Sequence, residues 1–393
     1  MSKKKRFAII FTLGILSAMG AFSIDMYLPG FPEMAADLDT TVARVTLSIT
    51  SFFIGVSFGQ LIYGPLIDKY GYFKPLIAGL IIYVLASFYC AHSPNVDVLI
   101  WIRLVQALGS CAGLVASRAL VRIIFPVSEN AKVFSLLMLV LALSPIVAPT
   151  FGGFITYNYN WKYIFYVLAA IGILAIILVI AILPRSDFHD EKKSLLPRDI
   201  VNNYLTVFRV PSFYVYAGAG AIASSGLYAY IAGSPTVFME VFKVSEKTYG
   251  FIFALIASGL IISSQINTLL LKRHLSEAIL KKVIFIQSLS GLALILCAYF
   301  KILNLYSAIG LIIIFLSTQG FAFPNSSALT MKPFTTNAGT ASALMGALQM
   351  GMGVLTTALV SIFNDGTIMP MAVTMGSCAV LSYIILLIGS KKL

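Results

Sequence analysis

Charge is what this sequence has least of. Of 393 residues only 15 are Asp or Glu, and charged residues of both signs make up 11%, against roughly 25% in a soluble globular domain. With 59% apolar residues and a mean hydropathy of +0.94, the chain is not one whose whole surface faces water. Cysteine and histidine are also scarce, at 4 and 3 residues. Cys90, Cys111, Cys297 and Cys378 lie singly in apolar segments without metal-ligand spacing, which marks them as packing residues rather than a disulfide framework or a zinc site. His92, His189 and His274 are equally isolated. No metal is expected, and a membrane-embedded enzyme, which needs clustered His, Asp or Glu for acid–base or metal chemistry, is disfavoured.

Long apolar runs are what the sequence has instead. A bilayer-crossing helix needs about 20 such residues. The pattern predicts spans near 7–28, 45–66, 74–91, 97–121, 132–154, 161–183, 212–238, 248–271, 278–299, 303–328, 338–363 and 368–389. The first follows Lys3, Lys4, Lys5 and Arg6 but is too long for a signal core and lacks a small-x-small site, so it is expected to be a retained span. Twelve spans put both termini on one side. If that side is cytoplasmic, only Arg44, Lys162, Lys243, Lys247 and Lys301 fall outside, Arg103 lies within a span, and the other 21 of 27 basic residues lie inside. This bias predicts cytoplasmic termini. It also accounts for the net charge of +12 without nucleic acid.

The longest polar stretch, 184–211, is charged, rich in turn formers and near the chain midpoint. It reads as a linker between a first six-helix bundle, 1–183, and a second, 212–393. The halves repeat at an offset of about 205 residues, with Gln60 mapping onto Gln265 and Asp68 onto Arg273. The expected class is an all-α membrane protein of twelve helices in two pseudo-symmetric bundles, with a site at the midplane between them. A passive channel fits this repeat less well than alternating access does.

Two ionisable groups lie firmly inside spans. Asp25 is in the first and Arg103 in the fourth; if the first runs on to about Phe31, both lie about 9 Å from the outer end at 1.5 Å per residue. A carboxylate at such a place costs roughly 2.5–3.5 kcal/mol on insertion scales, so it is protonated, paired or turned to water. Each option suits a proton-carrying group, and the similar depths suggest an Asp25–Arg103 couple, direct or through water. A fixed structural ion pair is the alternative. Arg103, Gln106, Ser110, Gly113 and Ser117 share one helical face. With Tyr27, the second-half residues Tyr228, Tyr230, Gln319, Asn325, Ser342 and Gln349 complete a set of neutral polar and aromatic groups suited to an amphipathic ligand. Each serves equally well as a hydrogen bond between helices.

Several segments carry a family pattern. "GPLIDKYGYFKP", with Gly64, Asp68, Lys69 and Gly71, follows the second span and resembles the loop signature G-x-x-x-D-R/K-x-G-R-R/K of the major facilitator superfamily, although Tyr72 and Phe73 replace its basic pair. "LALSPIVAPTFGG", with Pro145, Pro149, Gly152 and Gly153, resembles the antiporter signature of drug-efflux members. "RLVQALG", "DMYLP" and "AGTASALMGALQ" resemble the Bcr/CflA branch of twelve-helix drug:proton antiporters, while Ile123 stands where that branch commonly has Asp. The resemblance implies proton-coupled efflux of small amphipathic drug-like molecules by a monomer in a bacterial inner membrane, with the proton gradient as energy source and no cofactor. It implies that Asp25 carries the proton beside Arg103, that Gly64, Asp68, Lys69 and Gly71 gate the cytoplasmic side, and that Pro145, Pro149, Gly152 and Gly153 hold one closed packing. Export of one endogenous metabolite or siderophore, or proton-coupled uptake, would use the same parts.

Overall fold

The computed structural model describes residues 3–184, 197–334 and 338–390, with Asp68 and Arg122 among those described by backbone only. Every regular element among them is helical. The first pass is built in pieces. Helix α1 (Lys3–Asp25) gives way to a 3-10 turn, Leu28–Gly30, and then to α2 (Phe31–Asp37). Pro29 and Pro32 sit near the starts of the later pieces, where a missing N–H costs nothing. The prolines bend the pass without ending it, so it runs past the boundary expected at 28. Its outer tip is fastened: Glu33 accepts from the Trp161 backbone N–H at 3.0 Å, and Asp37 from the Trp161 indole at 3.0 Å while pairing with Lys162.

Helices α3 (Val42–Tyr70), α4 (Phe73–Ala91), α5 (Val96–Ile124), α6 (Val127–Asn158) and α7 (Lys162–Ile182) complete the first half. Their starts carry the expected chemistry: Thr41 caps α3 and Asn95 caps α5, each accepting from a backbone N–H three residues on. The second half comprises α9 (Pro211–Pro235) with a π-helical extension Thr236–Val241, α10 (Glu246–Leu270), α11 (Ser276–Tyr299), α12 (Leu305–Ser317), α13 (Gln319–Met331), α14 (Ala338–Ile362) and α15 (Met369–Ser390). Between the halves stands α8 (Pro197–Phe208). Phe73 and Ser276 begin α4 and α11, Val96 and Leu305 begin α5 and α12, and Lys162 and Met369 begin α7 and α15, which keeps the offset between about 203 and 209.

Among the described residues, 10 helical stretches are long and apolar enough to cross a membrane. α6 and α9, of 32 and 25 residues, are long enough but not among those ten. α9 owes its lower hydropathy to glycines, serines and tyrosines, which suit a helix surrounded by other helices. Trp101, Phe88, Ile177, Leu289 and Ile388 stand exposed on the outside, an arrangement that water would penalise and lipid does not.

Two expectations change. The stretch 184–211 is not simply a turn-rich linker: its later part forms α8, which packs on α9 and α14, because Pro197 starts a helix and apolar residues recur along it at helical spacing. Residues 185–196 lie outside the described part. The "GPLIDKYG" segment is not a loop. α3 runs through Gly64, Pro65 and Asp68 to Tyr70, and only Gly71 and Tyr72 separate it from α4. Gly71 takes φ 72, which favours glycine and turns the chain. The span expected at 303–328 is present as Leu305–Met331, its helix interrupted at Thr318 between α12 and α13.

Within the first half the closest packing is of α3 and α4 on α5; within the second, of α9 and α11 on α15. The halves meet along two seams, α3 on α14 and α6 on α10. The first is polar and close: Thr50 donates to Thr357 at 2.8 Å, Ser57 to the Ala347 carbonyl at 3.1 Å and Ser361 to the Ala43 carbonyl at 2.5 Å.

Candidate functional site

Arg103 sits in the second turn of α5 and is wholly buried. Its guanidinium donates to the Gln106 side-chain oxygen and, at 2.7 Å, to the Ser23 carbonyl of α1. The rings of Tyr27 and Phe52 lie 4.2 and 4.4 Å from it, with Phe165 at 5.7 Å. Ring faces attract a desolvated cation by about 2 kcal/mol or more, so three aromatic residues, a carbonyl and an amide do here what an acid would do elsewhere. The network continues outward. Gln106 donates to Ser87 at 2.7 Å, and Ser23 shares a hydrogen bond with Tyr83 at 2.8 Å. Tyr27 closes it with a 3.0 Å bond to Ser48. One donor, Arg103 Nε, is buried without a described partner.

Asp25 is elsewhere. It is 4% exposed, and among the described residues no ion pair or hydrogen bond reaches it. The expected direct couple with Arg103 is therefore corrected. The two groups occupy neighbouring levels, since Arg103 holds the carbonyl of Ser23, but Asp25 follows Ser23 by two residues. Two residues rotate a helix by about 200°, which turns the carboxyl to the opposite side of α1. Just beyond it, the turn Leu28–Gly30 of the first pass meets α9 and α10 of the second half.

The α6 segment explains why these helices come so close. Gly152 lies against the backbone of Met26, the residue after Asp25, and a Cβ there would overlap its carbonyl. One residue on, a Cβ at Gly153 would fall 2.6 Å from the Glu246 carbonyl of α10, and one at Gly250 2.7 Å from the Pro149 carbonyl. Pro145 and Pro149 stand inside α6 without ending it. The two glycines thus seat the first pass and α10 closely against α6. Replacing Gly152 with Val is expected to force these backbones apart and lower the melting temperature by several degrees, measured by thermal unfolding in detergent; a melting temperature equal to wild type would show that Met26 yields freely.

The other expected cavity residues do not form one cluster. Tyr27 and Gln106 belong to the Arg103 network, and Ser110 donates to the Ala107 carbonyl of its own helix at 2.9 Å. Gln319 donates at 2.6 Å to the Ala223 carbonyl, which also receives Gln287 at 3.2 Å. Asn325 donates to Asn267 at 2.7 Å. These amides fasten α9, α10, α11 and α13 together, so their use is packing. Gln287 and Asn267 escaped the sequence reading because a single polar residue in an apolar run carries no pattern. Tyr228 lies at the seam between halves, its ring 4.7 Å from that of Phe53. Ser342 and Gln349 lie on α14, the latter buried; near them Gly346 packs on the Gln60 amide. Of the remaining segment, Lys69 stands 5.7 Å from the Tyr70 ring, and the Asp68 side chain lies outside the described residues.

Comparison with known proteins places this geometry. The family model described as Major Facilitator Superfamily matches residues 13–357. A bicyclomycin resistance protein homolog of Haemophilus influenzae is 33% identical, over 97% of this chain and 95% of its own. An uncharacterized MFS-type transporter of Bacillus subtilis, YdgK, is 35% identical over 96% and 94%, and multidrug resistance protein D of Escherichia coli is 25% identical over 90% and 89%. Among solved structures, a bacterial homolog of the human lysosomal transporter Spinster, inward-facing and unoccupied, superposes with a TM-score of 0.72 at 14% identity, over 100% of this chain and 96% of its own. A mutant of the nucleoside transporter NupG superposes at 0.75 and 12% identity, over 97% and 99%.

Proposed function

The chain belongs to the major facilitator superfamily, and we propose that it is a proton-coupled exporter of small amphipathic molecules, of the bicyclomycin-resistance type. The observation that carries this reading is Asp25: an acid buried within the first pass, free of any described cation, at the level where the two halves meet. A carboxyl so placed is tolerable when protonated and costly when ionised. Its charge state therefore biases which arrangement of the halves is stable, as alternating access requires. In this reading the halves 1–183 and 212–393 rock about 184–211, both termini are cytoplasmic, and the membrane is the bacterial plasma membrane. Arg103 is a fixed cation of the first half, and Tyr228 and Gln349 stand where a ligand between the halves would touch them. Gly64, Asp68, Lys69 and Gly71 gate the cytoplasmic side. Relatives named for bicyclomycin and multidrug resistance support a drug-like substrate.

The test is transport by the purified protein in proteoliposomes with an imposed pH gradient. Bicyclomycin and a panel of amphipathic cations and neutral compounds serve as candidate substrates. The expected result is accumulation against the proton flow, abolished by a protonophore. Accumulation in the same direction as the protons would make the protein a symporter and overturn the export reading.

A further inference from the structure

Where α9 begins and α15 ends, the two helices leave a groove of about 260 Å³ between them. Pro211, Tyr214 and Val215 form one wall, and Ile384, Ile385 and Ile388 the other. A Cβ at Gly389 would fall 2.6 Å from the Val215 side chain, so the helices are in contact beside it. Tyr214, Ile384 and Ile388 are exposed, so the groove opens on the outside of the bundle and continues its lipid-facing surface. Neither α9 nor α15 contains a charged residue. The mouth is different. Arg209 stands exposed two residues before Pro211, and past Ser390 the sequence runs on as Lys391 and Lys392. On α11, which packs on α15, Glu277 is already paired with Lys281 at 3.0 Å and Lys282 is exposed. On α8, Arg198 and Asp199 cancel in charge. The balance at this corner is strongly positive. In α8 itself Val201, Leu205 and Phe208 recur at spacings of four and three, share one face and are all exposed, while Val207 packs inward with Phe213. An exposed apolar stripe that ends in a basic residue suits the boundary between acyl chains and headgroups.

We propose that this corner is the seat of an anionic phospholipid. One acyl chain lies in the groove between α9 and α15, the phosphate faces Arg209, and the stripe of Val201, Leu205 and Phe208 sits among the neighbouring chains. Charge separates this seat from general lipid contact. An apolar groove alone takes any acyl chain, whereas a basic mouth selects a negative headgroup. Arginine suits the position, because its stem covers apolar surface while its planar fork reaches a phosphate with two donors. The bound lipid joins the last turns of α15 to the corner between α8 and α9. It thereby steadies α8, the helix through which the first half is connected to the second. The seat is independent of what the protein transports and of any role for Asp25.

The test offers the purified full chain, delipidated in a mild detergent, phosphatidylglycerol and phosphatidylcholine in equal amounts and with the same acyl chains. Native mass spectrometry counts the lipid retained. Wild type is expected to retain one phosphatidylglycerol in preference. Arg209→Gln is expected to weaken that retention about fivefold, the worth of one basic residue near an anionic surface, and to leave phosphatidylcholine unchanged. Arg209→Lys is expected to keep the preference. Ile388→Trp, which fills the groove from its exposed edge, is expected to lose the retained phosphatidylglycerol. Both positions are exposed, so melting temperatures near wild type are expected. In nanodiscs, amide hydrogen exchange over 200–210 is expected to be slower with phosphatidylglycerol than with phosphatidylcholine, and Arg209→Gln is expected to abolish the difference. Equal retention of the two lipids by wild type, or undiminished retention of phosphatidylglycerol by Arg209→Gln, overturns the anionic seat. Undiminished retention by Ile388→Trp overturns the groove. Glycerol phosphate carries the phosphate without a chain; if it slows the exchange as the lipid does, the site is one for free phosphate and the lipid seat is overturned.

Discussion

Asp25→Asn is expected to reduce proton-driven transport to the level of empty vesicles while leaving the protein folded. Asn matches Asp in size and keeps hydrogen-bonding capacity, but it neither binds nor releases a proton near neutrality. The site it occupies is closely packed, with Gly152 on one side and the second half on the other, and volume-conserving changes disturb such a site least. Stability is expected to hold or rise, because the wild-type carboxyl carries a charge-burial cost of up to roughly 2.5–3.5 kcal/mol and the amide does not. The two readouts therefore separate: coupling is lost while the melting temperature is unchanged or higher. Substrate-induced proton release from the detergent-solubilised protein, followed with a pH dye, measures the coupling directly and is expected to vanish in the variant. Substrate exchange without a gradient is expected to persist, since no described contact links Asp25 to Tyr228 or Gln349. Undiminished proton-driven flux in Asp25→Asn would show that another group carries the proton.

The fold was readable because its signal is coarse. Long apolar runs can be little other than membrane helices. What escaped is what hydropathy averages away. Thr318 interrupts an apolar run without lowering its mean, so α12 and α13 read as one helix. Gly64 and Pro65 look like breakers, yet α3 passes through both, because helices on either side support the ladder that the proline weakens. α8 was hidden by composition: its charged residues drew attention from the apolar residues that lie at helical spacing among them.

At the site, residue types were legible and directions were not. Asp25 and Arg103 stand out in any reading, since ionisable groups within spans are rare and functional by default. Their depths also match, as the bond from Arg103 to Ser23 shows. The direct form of the inferred couple is absent through rotation alone: depth follows from residue counts, but the face a side chain presents depends on how α1 is turned among its neighbours. The antiporter-like glycines were expected to hold a closed packing, and the backbones they admit, Met26 and Glu246, lie in segments that no sequence spacing connects.

Arg103 carries the second large effect, and the way it is held decides what kind of effect. Arg103→Ala removes a wholly buried side chain from between Tyr27 and Phe52 and leaves the Ser23 carbonyl and the Gln106 oxygen without their donor. Each orphaned acceptor costs about 1–3 kcal/mol, and the vacated space adds a cavity term. A loss of about 3–5 kcal/mol is expected, enough to deplete the folded protein from the membrane given the usual margin of 5–15 kcal/mol. Arg103→Lys keeps the charge but not the planar fork, so it holds one acceptor at a time and stacks poorly; an intermediate loss is expected. The discriminating measurement is a double-mutant cycle on melting with Asp25→Asn. Were Asp25 and Arg103 an ion pair, removing either would strand the other, and the pair would show an interaction energy of more than 1 kcal/mol. Because α1 turns them to opposite sides, and because aromatic rings and a carbonyl hold the guanidinium, the two effects are expected to add within about 0.5 kcal/mol. Strong non-additivity would restore the couple.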